Sequence, residues 1–175
     1  MQTIGFVSER VGTTTPQRAT LARILGTAHR RGFGRLTHGD TRGDVVAHAL
    51  ALKFDPPWVI DVYPPNVEVA RGHMQPRPGF GQVHPPAPYL TRARAVVDAC
   101  HTLVACPSTP RPGRLLSGPW FAALYAHRAD KTAVVILPDG SIIRTGERDQ
   151  DLQHNDPPTL VLADLFKWAE WKGGE

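Results

Sequence analysis

The chain has 175 residues, 41% of them hydrophobic and 21% charged, enough for one domain of ordinary size whose core needs no disulfide or metal staple. Its 16 glycines and 17 prolines follow no Gly-X-Y period, which excludes a collagen-like rod, and the hydrophobic content excludes a long disordered chain. Twenty basic residues face 16 acidic ones, a net charge of +4 built mostly from arginine, which favours an anionic ligand held by planar guanidinium groups. No run of like charges and no basic, aromatic-studded helix face supports nucleic-acid binding. Apolar stretches fall far short of the roughly 18 residues that span a bilayer. With no signal-like segment and only two cysteines, the expectation is a cytoplasmic protein with reduced thiols and no membrane partner.

Thr3 to Ser8 (TIGFVS) predicts a first strand, followed by the loop Glu9-Arg10-Val11-Gly12. Thr13-Thr14-Thr15-Pro16 reads as a helix N-cap region with proline in the first turn. Leu21, Ile24, Leu25 and Ala28 then recur at helical spacing until about Arg31, where Gly32-Phe33-Gly34 stops the helix. Arg35 to His38 is a short second strand. Gly39-Asp40-Thr41-Arg42-Gly43-Asp44 has turn chemistry, and Val45, Val46, Ala49 and Leu52 carry a helical pattern to about Phe54. Trp58 to Tyr63 (WVIDVY) is a third strand. No periodicity survives in the proline-rich stretch from Pro64 to Pro88; a loop of that length is either a lid over a site or a passive insert.

Leu90, Ala93, Val96 and Val97 next share one helical face, with Arg92 and Arg94 off it. Thr102 to Cys106 (TLVAC) is a strand, and a loop rich in proline and glycine runs from Pro107 to Leu116. Ser117-Gly118-Pro119 opens a helix to about Arg128, Thr132 to Leu137 is another strand, and Asp139-Gly140 turns into Ser141 to Arg144. A polar connector from Thr145 to Pro158 leads to an amphipathic helix from Leu160 to Trp171. Apolar strands separated by helical patterns predict a single α/β domain over residues 1–175: a Rossmann-like, mostly parallel sheet with helices on both faces and an irregular insert at 64–88.

Ligands of open α/β sheets bind outside the carboxyl ends of the strands. The candidate site residues are therefore those that follow strands: Ser8, Glu9 and Arg10; Gly39, Asp40, Arg42, Gly43 and Asp44; and Ser117, Gly118, Pro119 and Trp120. Arg92 and Arg94 join them from the helix that begins at Tyr89. The start of a helix at Ser117 offers backbone amides to phosphate, although the same residues equally describe an ordinary capped helix. Two arginines beside it would clamp an anion. His38, Asp40, Asp44 and His48 do not meet zinc-ligand spacing, and hydrogen bonding or helix capping explains each; no metal and no cofactor are expected. Cys106 reads as a small apolar residue at a strand end rather than a nucleophile.

Four segments, taken in order, resemble the SLOG superfamily, which joins DprA-type proteins and the Lonely Guy phosphoribohydrolases. They are GFVSERVG at Gly5 to Gly12, HGDTRGDVVAHALAL at His38 to Leu52, PYLTRARAVVDACHTLVACP at Pro88 to Pro107, and SGPWFAALYAHRADKTAVVILPDG at Ser117 to Gly140. The second is similar to the superfamily's (S/H)-G-x-x-x-G-x-D-x-x-A-H element, and the third and fourth to the R-N-R-x-x-V-D and S-G-T-W elements of its small members. The resemblance covers about residues 3 to 140. It implies a Rossmann-like fold that cradles a nucleotide or nucleotide-derived ligand, with Ser8, Arg10, Gly39, Asp40, Gly43, Asp44, Arg92, Arg94 and Ser117 to Trp120 lining the pocket, and it implies homo-oligomerisation.

The catalytic members' P-G-G-x-G-T-x-x-E element is represented here by Leu116 to Ala123, in which the glutamate is missing and Pro119 replaces threonine. Ala93 stands where asparagine is frequent. The expected function is accordingly binding or sensing of a phosphorylated nucleotide-type ligand, with Trp58, Tyr89 or Trp120 stacking a base. The alternative is a nucleoside 5'-monophosphate phosphoribohydrolase that cleaves the N-glycosidic bond. That reaction needs a group to stabilise an oxocarbenium-like ribose, and Glu9 and Asp40 are the acidic residues nominated for it.

Overall fold

Along each central strand, successive side chains enter two different cores. In β1 (Gln2–Ser8) Ile4 and Phe6 face one way and Val7 the other. In β5 (Thr102–Cys106) Val104 and Cys106 oppose Leu103 and Ala105, and in β6 (Thr132–Ile136) Val134 and Ile136 oppose Ala133 and Val135. A sheet apolar on both faces must be covered on both. Helices α1 (Thr15–Arg30) and α2 (Val45–Ala51) cover the Phe6 face through Leu21, Leu25, Ala47 and Ala51. On the Val7 face lie α3 (Tyr89–Asp98) and α4 (Gly118–Arg128), packing Val96, Val97, Trp120, Ala122, Ala123 and Ala126.

Among the described residues seven strands lie in the order β4-β3-β2-β1-β5-β6-β7, with β2 at Phe33–His38, β3 at Val59–Val62, β4 at Gly81–Val83 and β7 at Ile142–Arg144. All neighbours are parallel except β6 and β7. The computed structural model describes residues 1–113 and 116–144; the predicted connector and the predicted helix from Leu160 to Trp171 lie outside the described residues. The predicted α/β, Rossmann-like architecture is the one found. Among the described residues no helix is long and apolar enough to cross a membrane.

One element was not read from the sequence. β4 lies within the proline-rich stretch and pairs in parallel with β3 through Ile60 and Gly81, Asp61 and Gln82, and Val62 and Val83. All three β4 residues are exposed, so no alternation of burial marks them. The stretch is thus partly a sheet edge, stitched further by a bridge between Thr41 and Arg71 and by Tyr63 stacked on His84 at 4.0 Å.

The start of α1 ties the two halves of the sheet together. Thr14 is its N-cap, and the reciprocal hydrogen bonds of Gln17 Nα–H to Thr14 Oγ1 and Thr14 N–H to Gln17 Oε1 complete a capping box. The Gln17 amide is buried and donates to the carbonyls of Pro107 at 2.8 Å and Ile136 at 2.9 Å, at the ends of β5 and β6. Gln17→Ala strands two buried carbonyls and half of the box, so urea unfolding is expected to report a loss of about 2–3 kcal/mol. A loss below about 0.5 kcal/mol would show that the amide ties nothing down.

Candidate functional site

The strand order reverses between β1 and β5, which makes the carboxyl ends of β1 and its neighbours the place where an open sheet leaves a crevice. β1 exits through Ser8 into a turn, Glu9 to Gly12, closed by Gly12 N–H donating to Glu9 O at 3.0 Å with Gly12 at φ +99°. β2 exits through His38 and Gly39 into a second turn, Thr41 to Asp44, closed by Asp44 N–H donating to Thr41 O at 2.8 Å. Arg10 and Arg42 therefore occupy the same place, second in line, in two neighbouring turns.

Asp44 fastens these turns to each other. Its Oδ1 accepts from Ser8 N–H at 3.2 Å and Ser8 Oγ–H at 2.9 Å, and its Oδ2 accepts from Thr41 N–H at 3.0 Å and Thr41 Oγ1–H at 2.8 Å. Burial pushes the Asp44 carboxyl up, while the hydrogen bonds from Thr41 and Ser8 and the charge of Arg92 pull it back toward the anion. Gly43 makes the close approach possible: a Cβ there would lie 1.9 Å from Glu9 O and 2.4 Å from Ser8 Oγ. No side chain larger than hydrogen fits without parting the loops.

Between the turns and the insert opens a cleft of about 560 Å³ lined by Arg10, Val11, Gly12, Arg42 and Ala70. Both arginines are exposed, and among the described residues neither makes an ion pair or hydrogen bond. On the other side of Ser8 is a narrow recess with room for about one water molecule, roughly 10 Å³, bounded by Asp44, Tyr89 and Arg92. Arg92 is buried, its Nη1–H donates to Gly39 O, and its guanidinium lies 5.4 Å from the centre of the Tyr89 ring. Burial and then the negative charge of Glu9 raise the Tyr89 phenol to about 12, so it stays protonated. Its hydroxyl rests on Gly118, where a Cβ would fall 1.4 Å away.

Asp40 is held at three points. Its N–H donates to His38 Nδ1 at 3.2 Å, its carbonyl accepts from Gly72 N–H at 2.7 Å, and its Oδ1 accepts from Met74 N–H at 2.9 Å. Because an amide can only donate, His38 Nδ1 carries no proton. His38 Nε2–H then donates to His48 Nδ1 at 2.9 Å, and His48 Nε2–H to Gln75 O at 3.1 Å. One tautomer assignment thus satisfies every ring nitrogen, with both histidines neutral. This chain fastens the proline-rich stretch to the β2 exit.

Ser8, Gly39, Gly43, Asp44 and Arg92 come together as the sequence suggested, with Glu9 and Arg10 in the adjoining turn. Others are placed elsewhere. Arg94 is exposed and lies over the rings of Phe121 and Tyr125, at 5.8 and 5.7 Å, so it forms no pair with Arg92. Trp120 is 1% exposed within the core, its Nε1–H on Thr109 Oγ1, and Trp58 is equally buried before the start of β3 with its Nε1–H on His29 Nδ1. Neither indole is free to stack on a base; Tyr89, 43% exposed, is the one of the three that reaches solvent. Pro119 is buried, and Ser117 holds the N-cap position; among the described residues it makes no capping hydrogen bond and its Oγ, like Glu9 Oε1, is buried without a partner.

The sequence reading missed Val11, Thr41 and Ala70 as walls. Thr41 follows from turn chemistry, but Ala70 depends on the path of the insert, for which no local signal exists. Compared with protein-family models, curated proteins and solved structures, the chain matches none.

The histidine pair sets an acid limit on stability. Burial lowers His38 from its ordinary 6.5 to about 3, helped by the charges of His48 and Arg92, and burial lowers His48 as well. Below pH 6.5 the unfolded chain takes up protons that the folded one refuses, so stability is full above that pH and falls on acidification. Between pH 6 and 5, His38 alone is expected to contribute a fall of about 1.4 kcal/mol per pH unit. His38→Gln should flatten the urea-derived slope whatever its absolute stability; an unchanged slope would contradict the assignment.

Proposed function

We propose that the chain binds a nucleotide or nucleotide-derived phosphorylated ligand at the carboxyl ends of β1 and β2. The observation that carries this reading is the cleft itself: about 560 Å³, beside the reversal of strand order, with the guanidinium groups of Arg10 and Arg42 presented from two turns locked together. That volume falls within the range of about 300–1,000 Å³ in which small-molecule sites lie. Guanidinium groups match phosphate oxygens in pairs and remain charged at any working pH. The exposed Val11 side chain, next to Arg10, offers an apolar wall to a base or sugar face. The resemblance of the four segments to SLOG proteins points to the same ligand class.

A second reading, hydrolysis of a nucleoside 5'-monophosphate at its N-glycosidic bond, is favoured by Glu9. Among the described residues its Oε1 is buried without a hydrogen-bond partner, and Glu9 directly precedes Arg10. A carboxylate left without donors is suited to receive a ribose hydroxyl or to steady positive charge at the anomeric carbon. Asp40, by contrast, has an oxygen engaged by Met74 N–H, so its part in either reading is to hold the loop.

Thermal unfolding in the presence of adenosine and guanosine 5'-monophosphates and their parent nucleosides separates these possibilities. Stabilisation by the phosphorylated compounds, absent with the nucleosides and lost in Arg10→Gln, is the result expected for binding. Release of free base, detected chromatographically and abolished by Glu9→Gln while stabilisation persists, would assign the hydrolase. No shift with any of the compounds would set aside the nucleotide reading.

A further inference from the structure

We infer that the cleft between the two turns is a two-arginine subsite for a ligand carrying a diphosphate rather than a single phosphate, with Arg42 as the residue that discriminates between them. The inference rests on the ligand reading above and adds to it the charge class of the ligand.

The cleft is lined by two cations and no acid. Among the described residues no carboxylate pairs with either arginine: Glu9, in the Arg10 turn, has its Oε1 buried and its charge acts on Tyr89 in the recess, and the others nearby are engaged elsewhere. Asp44 has both oxygens on Ser8 and Thr41. Asp40 is held by Met74 N–H. Glu68, two residues before the Ala70 wall, is 3.0 Å from Arg71 and 3.5 Å from His73. Arg92 lines the recess on the other side of Ser8 and donates to Gly39 O. Two like charges therefore line one cleft from separate turns, with no counter-ion paired to either among the described residues.

Their proximity is imposed by the fold. Gly43 packs against Glu9 O, and Asp44 bridges Ser8 to Thr41, so Arg10 and Arg42 cannot drift apart without breaking buried hydrogen bonds. Repulsion between them is relieved by an anion that bridges both. One phosphate can face one planar guanidinium fork; a diphosphate offers each fork its own pair of oxygens. With the two turns fixed to each other, the backbone positions from which both guanidinium groups reach are set before a ligand arrives, which lowers the ordering cost of the second contact.

Calorimetric titration of the full chain with inorganic phosphate and inorganic pyrophosphate at fixed ionic strength, followed by adenosine 5'-monophosphate and 5'-diphosphate, tests this. Pyrophosphate is expected to bind at least tenfold more tightly than phosphate, and the diphosphate nucleotide correspondingly more tightly than the monophosphate. Arg42→Gln should erase that preference, bringing the ratio of pyrophosphate to phosphate affinity to within about twofold; Arg42→Lys should restore part of it. Arg23→Gln, on the exposed side of α1, serves as the control for lost surface charge. Equal binding of mono- and diphosphates, unaltered by Arg42→Gln, would overturn the inference while the nucleotide reading stands. Failure of every nucleotide and of pyrophosphate to bind would remove both.

Discussion

A single buried carboxylate organises the carboxyl edge of this sheet. Asp44 accepts four hydrogen bonds, two from backbone amides and two from hydroxyls, and all four come from the exits of β1 and β2. Hydrogen bonds to a charged group contribute on the order of 1.5–3 kcal/mol each, and they are strongest where water is excluded. Without Asp44 the two exits would be independent loops. With it, and with hydrogen in place of a side chain at Gly43, they form one rigid rim whose outward residues are Arg10 and Arg42. Burial still leaves the Asp44 carboxyl above its ordinary range, and that donor set and the nearby positive charge of Arg92 oppose its desolvation in part.

The remainder of the molecule supports this rim from beneath and from the side. Two helices on each face fix the strands, and the Gln17 amide ties the start of α1 to the ends of β5 and β6. The proline-rich stretch, rather than hanging over the cleft, is built into its wall. Asp40, at φ +54°, receives it through Gly72 and Met74, and the neutral His38–His48 pair extends the attachment to Gln75. A chain of neutral rings suits a site beside several arginines, because a protonated pair would add positive charge to a buried position next to Arg92.

Much of this was legible in the sequence, for identifiable reasons. β5 is legible to the residue because Thr102 and Pro107 bound an uninterrupted apolar run, and the N-cap region of α1 because Thr13 to Pro16 carry a local code; the part of Gln17 in the capping box is seen only in the structure. β4 was not, since three exposed residues have no periodicity to read. Arg92 and Arg94 were grouped by closeness in sequence, yet two residues of helix rotate a side chain by roughly 200°, which sends one into the sheet edge and the other across Phe121 and Tyr125. Trp120 belongs to the helix-start element Ser117 to Trp120 that points to a ligand, but the small residues Ala122, Ala123 and Ala126 draw that face of α4 into the core. The role of Asp40 depends on where the insert returns, which only the tertiary path decides.

The central claim is that the arginine-bearing turns are rigid before any ligand arrives. Native-state hydrogen exchange of the ligand-free chain at the Ser8 and Thr41 amides, the two backbone donors to Asp44, tests it most directly. Rates within about tenfold of those of the buried β1 amides are expected, because opening either bond then requires breaking the shared rim. Exchange at the rate of an exposed loop amide would contradict it, and would mean that the cleft is assembled by its ligand.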